Sequence, residues 1–332
     1  MDFKSLKKIL SEPKSFSVFG HINPDGDSIG ALLSTRIIAL SLGAKDIKLY
    51  SRDGVPDNFM FLPGAGLIEK KAADGAPPAD VAILVDCGGP KRIGDELLPL
   101  LKSSPFVVVI DHHVTNGGFG NLNIIDSNAA STCEILAKFI EAENIGMPLE
   151  LAQCLYTGIM YDTGRFLHSN TTPEVFRICA DLVARGANPH EIAVNVFNRR
   201  RFERLKLLGY SLVNMKTAED NAVSWSVADR KTYEELGAED EDSDGIVETL
   251  GAYKGCEAHI SFSESKDGRA RVSMRSSGRI DVGAICAKFG GGGHKFAAGI
   301  RMDGPLSLVE QKVVAEVCAA ARALKNTEGR DD

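Results

Sequence analysis

The sequence predicts an α/β protein, with an N-terminal doubly wound, mostly parallel sheet carrying helices on both faces and a smaller C-terminal α/β domain. Three observations predict it. Short runs rich in Val and Ile alternate with amphipathic stretches through the first half, and strand–helix–strand alternation builds parallel sheets. The chain's 332 residues exceed what one hydrophobic core usually organises. Beyond residue 216 the texture changes from helical periods to strands punctuated by turns.

The elements follow in order. FSVFG (16–20), IKLY (47–50), VAILV (81–85) and FVVVI (106–110) barely alternate, as strands buried on both faces do. Between them, 29–44 and 92–104 read as amphipathic helices. Helical patterns then occupy 132–146, 148–161, 173–186 and 188–212, the last opened by Asn188-Pro189. The charged RRRFERLK of that last helix marks a connector. The expected organisation is a catalytic domain over 1–190, a helical connector over 191–216 and a binding domain over 217–326. In the last part AVSWSVADR, AHISFSESKDGRARVSMRSS and AGIRM read as strands, with Lys266-Asp267-Gly268 as a hairpin tip. The acidic run Glu239–Asp244 reads as a solvated loop, 306–325 as a closing helix and NTEGRDD as a frayed tail.

Composition excludes several classes. No run approaches the roughly 18–20 apolar residues that span a bilayer, and the N-terminus lacks a signal-peptide pattern. Seven cysteines without a CxxC pair argue against a disulfide framework or a zinc ribbon, and point to a reducing cytoplasm. A net charge of −7 argues against gripping long nucleic acid by bulk electrostatics. A short nucleotide ligand is still compatible with that charge.

The chemistry gathers where strands and helices end. The first strand runs into His21, Asp25 and Asp27; the third ends at Asp86; the fourth ends at Asp111-His112-His113; a helix ends at Asp162. In an open parallel sheet the carboxyl ends of the strands share one edge, and ligands bind there. A lone Asp after a strand is usually a turn former or a cap. Four elements delivering carboxylate or imidazole to one edge are not explained that way. So many donors suit two cations sharing a carboxylate, an arrangement that clamps a phosphoryl group when the ions lie about 3.5–4 Å apart. Mixed imidazole and carboxylate donors favour Mn²⁺, with Mg²⁺ second. Gly26 and Gly30 are expected in a tight turn before a helix.

These residues resemble the motifs of the DHH phosphoesterase superfamily, in its order, and Gly290–Gly299 (GGGGHKFAAG) is similar to the glycine-rich signature of the DHH-associated domain. The resemblance implies that His21, Asp25 and Asp86 hold one cation and Asp27, Asp86, His112 and Asp162 the other, with Asp86 bridging. It implies that His113 faces the scissile phosphate while Asp111 orients an imidazole. Size and layout resemble the bifunctional oligoribonuclease (nanoRNase) and pAp phosphatase group, implying short RNA oligonucleotides and nucleotides as substrates and a homodimer. Alternatives within the superfamily are a linear or cyclic dinucleotide phosphodiesterase, a manganese inorganic pyrophosphatase and a long single-strand exonuclease. A non-catalytic nucleotide-binding module is the alternative from another class; an intact ligand set speaks against it.

In the second domain the glycines let backbone N–H groups approach an anion, so Gly291, Gly292 and Gly293 are expected at the substrate together with His294. Arg275 suits bidentate phosphate contact, with Ser276 beside it. Arg165, close after Asp162, is a further substrate-facing residue, whereas Asn128 and Thr132 read as helix caps. The expectation is that one domain grips the terminal nucleotide while the other performs the chemistry.

Overall fold

The computed structural model describes residues 1–12, 14–73, 77–198 and 201–328. The chain divides into two compact units, Met1–Arg199 and Arg200–Asp332.

The first unit contains α1 (Phe3–Leu10), β1 (Ser15–Phe19), α2 (Gly26–Ser41), β2 (Asp46–Tyr50), β3 (Ile68–Glu69), β4 (Val81–Val85), α3 (Leu98–Ser103), β5 (Phe106–Asp111), β6 (Leu122–Ile125), α4 (Thr132–Ala142), α5 (Leu149–Asp162), α6 (Pro173–Ala184) and α7 (Pro189–Ala193). Its strands form one sheet in the order β3-β2-β1-β4-β5-β6, every neighbouring pair parallel. The order reverses between β1 and β4, and a crevice opens outside the carboxyl ends of strands at such a switch point. Alternate residues of β4 explain the helices on both faces. Val81, Ile83 and Val85 join the large core with α2, α4 and α5, while Ala82 and Leu84 join a smaller one with Leu97 and Leu101.

Two differences from the sequence reading have simple causes. β3 and β6 add edge strands too short to show as apolar runs. The helix expected over 188–212 is interrupted: α7 gives way to a π turn, Val194–Asn198, before a new helix starts at Phe202.

The second unit contains α8 (Phe202–Val213), β7 (Lys216–Ala218), β8 (Val223–Ala228), α9 (Arg230–Leu236), α10 (Ile246–Leu250), β9 (Ala258–Glu264), β10 (Ala270–Ser276), α11 (Val282–Lys288), β11 (Gly292–Gly293), β12 (Ala297–Met302) and α12 (Leu306–Glu328). Its sheet runs β11-β12-β10-β9-β8-β7, antiparallel except for the parallel pair β8–β9. The expected hairpin joins β9 to β10, with Gly268 at φ +77° in its tip. The acidic run departs from the solvated loop expected of it. It closes a 3-10 turn over Asp240–Ser243 with a capping box from Glu239, and Asp242 is buried beside Arg201. Of the expected frayed tail, 326–328 continue α12 and 329–332 lie outside the described residues.

Candidate metal centre

The switch point places the acidic and imidazole side chains. Asp25 caps α2, its Oδ1 accepting from the amides of Asp27 and Ser28 at 3.1 and 3.0 Å. Asp27, in the first turn of α2, is fully buried; its carboxylate accepts from the amides of Thr132 (2.6 Å) and Cys133 (2.9 Å) at the start of α4. A carboxylate at a helix N-terminus is favoured by those otherwise unpaired donors and by the helix dipole. On the other side of the switch point, Asp86 follows β4 with φ +56°, a left-handed conformation that Asp tolerates better than most residues. Strain of this kind at the end of a central strand aims the carboxylate along the sheet edge.

These groups converge. His21 Nε2 lies 3.2 Å from Asp86 Oδ2 and 3.7 Å from Asp25 Oδ1. His21 Nδ1 donates to the carbonyl of Ile22 at 2.8 Å, which leaves Nε2 to face the carboxylates. His112 Nε2 lies 3.5 Å from Asp86 Oδ1 and 3.2 Å from Asp162 Oδ2. Three sets of donor atoms each fall within 4.8 Å of one another: His21, Asp25 and Asp86; Asp27, His112 and Asp162; and Asp86, His112 and His113. Asp86 belongs to two of them.

His113 is oriented differently. Its Nδ1 donates to Asp111 Oδ1 at 2.7 Å, turning Nε2 away from that buried carboxylate, and the side chain is 40% exposed. Asp111 is fully buried and also accepts from the amide of His112 (2.9 Å) and from Asn116 Nδ2 (2.6 Å). Asn116 further donates to the carbonyl of Cys87, tying the ends of β4 and β5 together.

Protonation follows from the crowding. Burial opposes a proton on His21, yet hydrogen bonds to Asp25 and Asp86 raise its pKa to about 10. His112, likewise buried, is pushed up to about 12 by Asp162 and Asp86. Burial and the Asp86 charge raise Asp27 to about 7, while burial and the Asp27 charge push Asp162 well up. Asp86 resists its own burial because both imidazoles hydrogen-bond to it, and its pKa falls. The protein alone therefore holds protons where cations would sit, since buried carboxylates require a counter-charge. The donor set fits divalent cations: clustered carboxylates and two imidazole Nε2 atoms, with no Lys or Arg paired to them among the described residues.

A prediction follows for cation loading. Ligands must be deprotonated to bind, so titration with Mn²⁺ at pH 7 is expected to release protons, and apparent affinity should rise with pH. Calorimetry in two buffers of different ionisation enthalpy measures the protons released. An affinity flat between pH 6 and 8 would contradict the protonation described above.

Sequence reading missed the supports around these groups. The carbonyl of Asp162, at the end of α5, accepts from His168 Nδ1 and Asn170 Nδ2, both at 3.2 Å, and Asn170 also reaches the carbonyl of Ala130. Thr132 is more than a cap residue: Ser131 caps α4, while Thr132 gives its amide to Asp27 and its hydroxyl to Asp86 at 3.3 Å. Asn128 donates its own amide to Asp126. Gly30 is not in a turn. It lies within α2, where a Cβ would come 2.6 Å from the Cys154 carbonyl of α5, so its smallness sets the helix spacing. Gly158 of α5 is tighter still, its absent Cβ 2.3 Å from Cys133 Sγ and 2.7 Å from Asp27 Oδ1. Gly158→Ala is therefore expected to cost about 1–3 kcal/mol by overpacking. It should also weaken the cation-dependent rise in melting temperature, because the intruding methyl meets Asp27. Melts with EDTA and with Mn²⁺ check both parts.

The remaining sequence-derived residues lie elsewhere. Arg165 (φ +62°) stacks over the ring of Phe197, its Cζ 5.1 Å from the centroid. In the second unit Arg275 is the penultimate residue of β10 and pairs with Glu248 through Nη2 at 2.9 Å. Ser276 spends its hydroxyl on the following turn, donating to Ile280 O at 2.5 Å and accepting from Gly278 N at 2.8 Å. Gly292 and Gly293 line a groove with Arg275, whereas Gly291 packs against β12. His294 is exposed.

Comparison with known proteins places these observations. Residues 15–159 match the model of the DHH family, N-terminal domain, and residues 226–326 match that of the DHHA1 domain. The chain is 31% identical over 291 residues to the bifunctional oligoribonuclease and PAP phosphatase NrnA of Thermus thermophilus, covering 86% of this chain and 83% of that one. It is 29% identical to the protein of the same name from Bacillus subtilis, covering 84% and 86%. An exopolyphosphatase-related protein from Bacteroides fragilis superposes with a TM-score of 0.87 at 26% identity, covering 98% and 96%.

Proposed function

Because this chain belongs to the DHH family of divalent-metal-dependent phosphoesterases, with a C-terminal DHHA1 domain, we propose that it hydrolyses short oligoribonucleotides to mononucleotides and dephosphorylates 3′-phosphoadenosine 5′-phosphate. One observation carries the reading: His21, Asp25, Asp27, His112 and Asp162 gather around a shared Asp86 at the switch point of a parallel sheet. His21, Asp25 and Asp86 hold one cation, and Asp27, Asp86, His112 and Asp162 hold the other. When bound, a pair of divalent cations supplies charge neutralisation for the phosphoryl group and a nucleophile at neutral pH. Mn²⁺ is favoured over Mg²⁺ by the two imidazoles.

The chain's own groups do the rest. Asp111 accepts from Nδ1 of His113 and orients the ring, so that in the protonated imidazole Nε2 can give a proton or a hydrogen bond to the leaving oxygen. Hydrogen bonding to Asp111, opposed by partial burial, raises the pKa of His113, which extends its donor form to higher pH than in an ordinary histidine. Arg275, Gly292, Gly293 and His294 of the second unit grip the nucleotide, and Arg165 is the candidate substrate contact of the first unit. Displacing Glu248 from Arg275 costs little, since exposed ion pairs are worth about 0–1 kcal/mol.

No helix among the described residues is long and apolar enough to cross a membrane. All seven cysteines are free thiols, which supports a cytoplasmic setting, and we carry the homodimer forward as part of the proposal.

The test is direct. Chelator-stripped protein reloaded with Mn²⁺ or Mg²⁺ is offered 5′-labelled RNAs of increasing length, pAp and pyrophosphate in parallel. Cation-dependent loss of the short RNAs and of pAp is the expected outcome. Turnover of pyrophosphate alone, or of none of them, overturns the assignment.

A further inference from the structure

The second unit carries a feature that the phosphate-gripping residues do not explain. One face of β10 and β12 packs into the core through Val272, Met274, Ala298 and Ile300. The other face is open where these strands meet β11, and forms a groove of about 480 Å³ lined by Arg271, Ser273, Arg275, Arg301, Gly292 and Gly293 among others. That volume falls in the range of ligand sites. Three arginines are among its lining residues and no Asp or Glu is.

Arg271 and Arg301 are direct cross-strand partners in the antiparallel β10–β12 pair. Like charges placed opposite one another destabilise a sheet, so this pair breaks a local rule in an otherwise consistent ladder. Its neutralisation within the protein is weak. Arg271 Nη2 reaches the exposed Asp244 only at 3.4 Å, from a half-buried side chain. The Arg301 side chain makes no hydrogen bond or ion pair among the described residues, and Asp267 at the nearby hairpin tip is held by Arg269.

The glycines point the same way. A Cβ on Gly291 or Gly293 would meet the backbone of β12 at 2.4–2.5 Å, so the strand pairing demands glycine at both. A Cβ on Gly292 would meet nothing within 4 Å. Packing therefore does not require glycine at 292; its bareness keeps the groove open to a ligand's backbone.

We propose that Arg271 and Arg301 form a second phosphate site at the far end of this groove, which takes the phosphodiester backbone of an oligonucleotide held at Arg275 and the glycine run. The proposal rests on the oligonucleotide reading and extends it to substrate length. Arg271 and Arg275 are four residues apart on one strand, about 13 Å. A ligand gripped at Arg275 must therefore carry a phosphate more than one nucleotide further along to reach Arg271 and Arg301. Guanidinium groups suit that contact through bidentate hydrogen bonds. The site makes RNAs of several nucleotides better ligands than dinucleotides.

The experiment combines Arg271→Gln with Arg301→Gln in the full chain, with a melting curve to show that the double variant folds. kcat/KM is measured for a dinucleotide, a pentaribonucleotide and pAp at several salt concentrations. Binding of a fluorescent pentaribonucleotide is measured in EDTA by anisotropy. The expected result is a loss for the pentaribonucleotide on the order of tenfold relative to the dinucleotide, with the salt slope of its affinity reduced by about 1.4, or ~0.7 per lost contact. Equal losses on every substrate, or none, overturn the second site. Should the wild-type protein cleave no RNA, the activity reading fails, and the EDTA binding difference still decides whether these arginines hold an oligonucleotide.

Discussion

Asp86→Asn is expected to lower turnover at least ~10³-fold, a loss of about 4 kcal/mol in transition-state stabilisation. The substitution isolates the charge. Asn accepts the left-handed φ of +56° that position 86 adopts, so the backbone at the end of β4 has no reason to move. Alanine would add backbone strain and a void to the lost charge. What Asn cannot do is bridge: a neutral amide offers one weak oxygen where the carboxylate reaches His21 with Oδ2 and His112 with Oδ1. Both proposed cation sites lose a ligand at once, which no other single change in the cluster achieves.

A second readout separates a lost metal centre from a misfolded chain. Ligands that bind only the folded state stabilise it by about 2.7 kcal/mol at a hundred times Kd. In a unit of this size that amounts to a rise of roughly 5–10 °C in Tm. Mn²⁺ should produce this rise in the wild-type protein and little of it in Asp86→Asn, with similar melting of both in EDTA. Retention of the full rise, or turnover within tenfold of wild type, would remove Asp86 from its bridging role.

Sequence and structure agree most where one physical cause dominates. The four long strands of the first unit were legible because both faces of a parallel sheet are buried, which forces runs such as VAILV and FVVVI. β3 and β6, with two and four residues at the sheet edges, have no room for such a signature. α9 and α10 escaped for a related reason. They have seven and five residues and are held by packing of Tyr233, Ile246 and Leu250 against Leu207, and periodicity cannot show over so few positions.

The metal-type side chains were legible as residue types at strand ends. Their supports were not. The amides of Thr132 and Cys133 that fix Asp27 belong to the backbone, and any residue there would supply them. Asn116 and Asn170 carry no signal in the sequence, and only the tertiary fold brings them to Asp111 and to the carbonyl of Asp162. Ser276 shows the converse. It looked like a ligand donor beside Arg275, and its hydroxyl instead closes the turn before α11.

His113→Asn is expected to lower kcat by about 10²–10⁴, the usual worth of a positioned acid or base, while leaving KM and the Mn²⁺-dependent rise in Tm nearly intact. The amide of Asn reaches about as far as Nδ1 of imidazole, so it can keep the hydrogen bond to Asp111 and leave that buried carboxylate partnered. Only Nε2, the atom turned away from Asp111, is removed. His113 Nδ1 also lies 3.7 Å from Asp86 Oδ1, close enough to make the imidazole an alternative cation ligand. The two roles predict opposite thermal behaviour: a ligand's loss abolishes part of the Tm rise, and a proton donor's loss does not. The pH profile gives an independent sign. The His113 pKa is raised above its ordinary value, so the donor form persists to higher pH than in an ordinary histidine and is lost as pH climbs past that raised pKa. Wild-type turnover should therefore fall on the alkaline side through this group, and that limb should disappear in His113→Asn. An unchanged alkaline limb together with a lost Tm rise would make His113 a cation ligand and leave the leaving oxygen to be protonated by solvent.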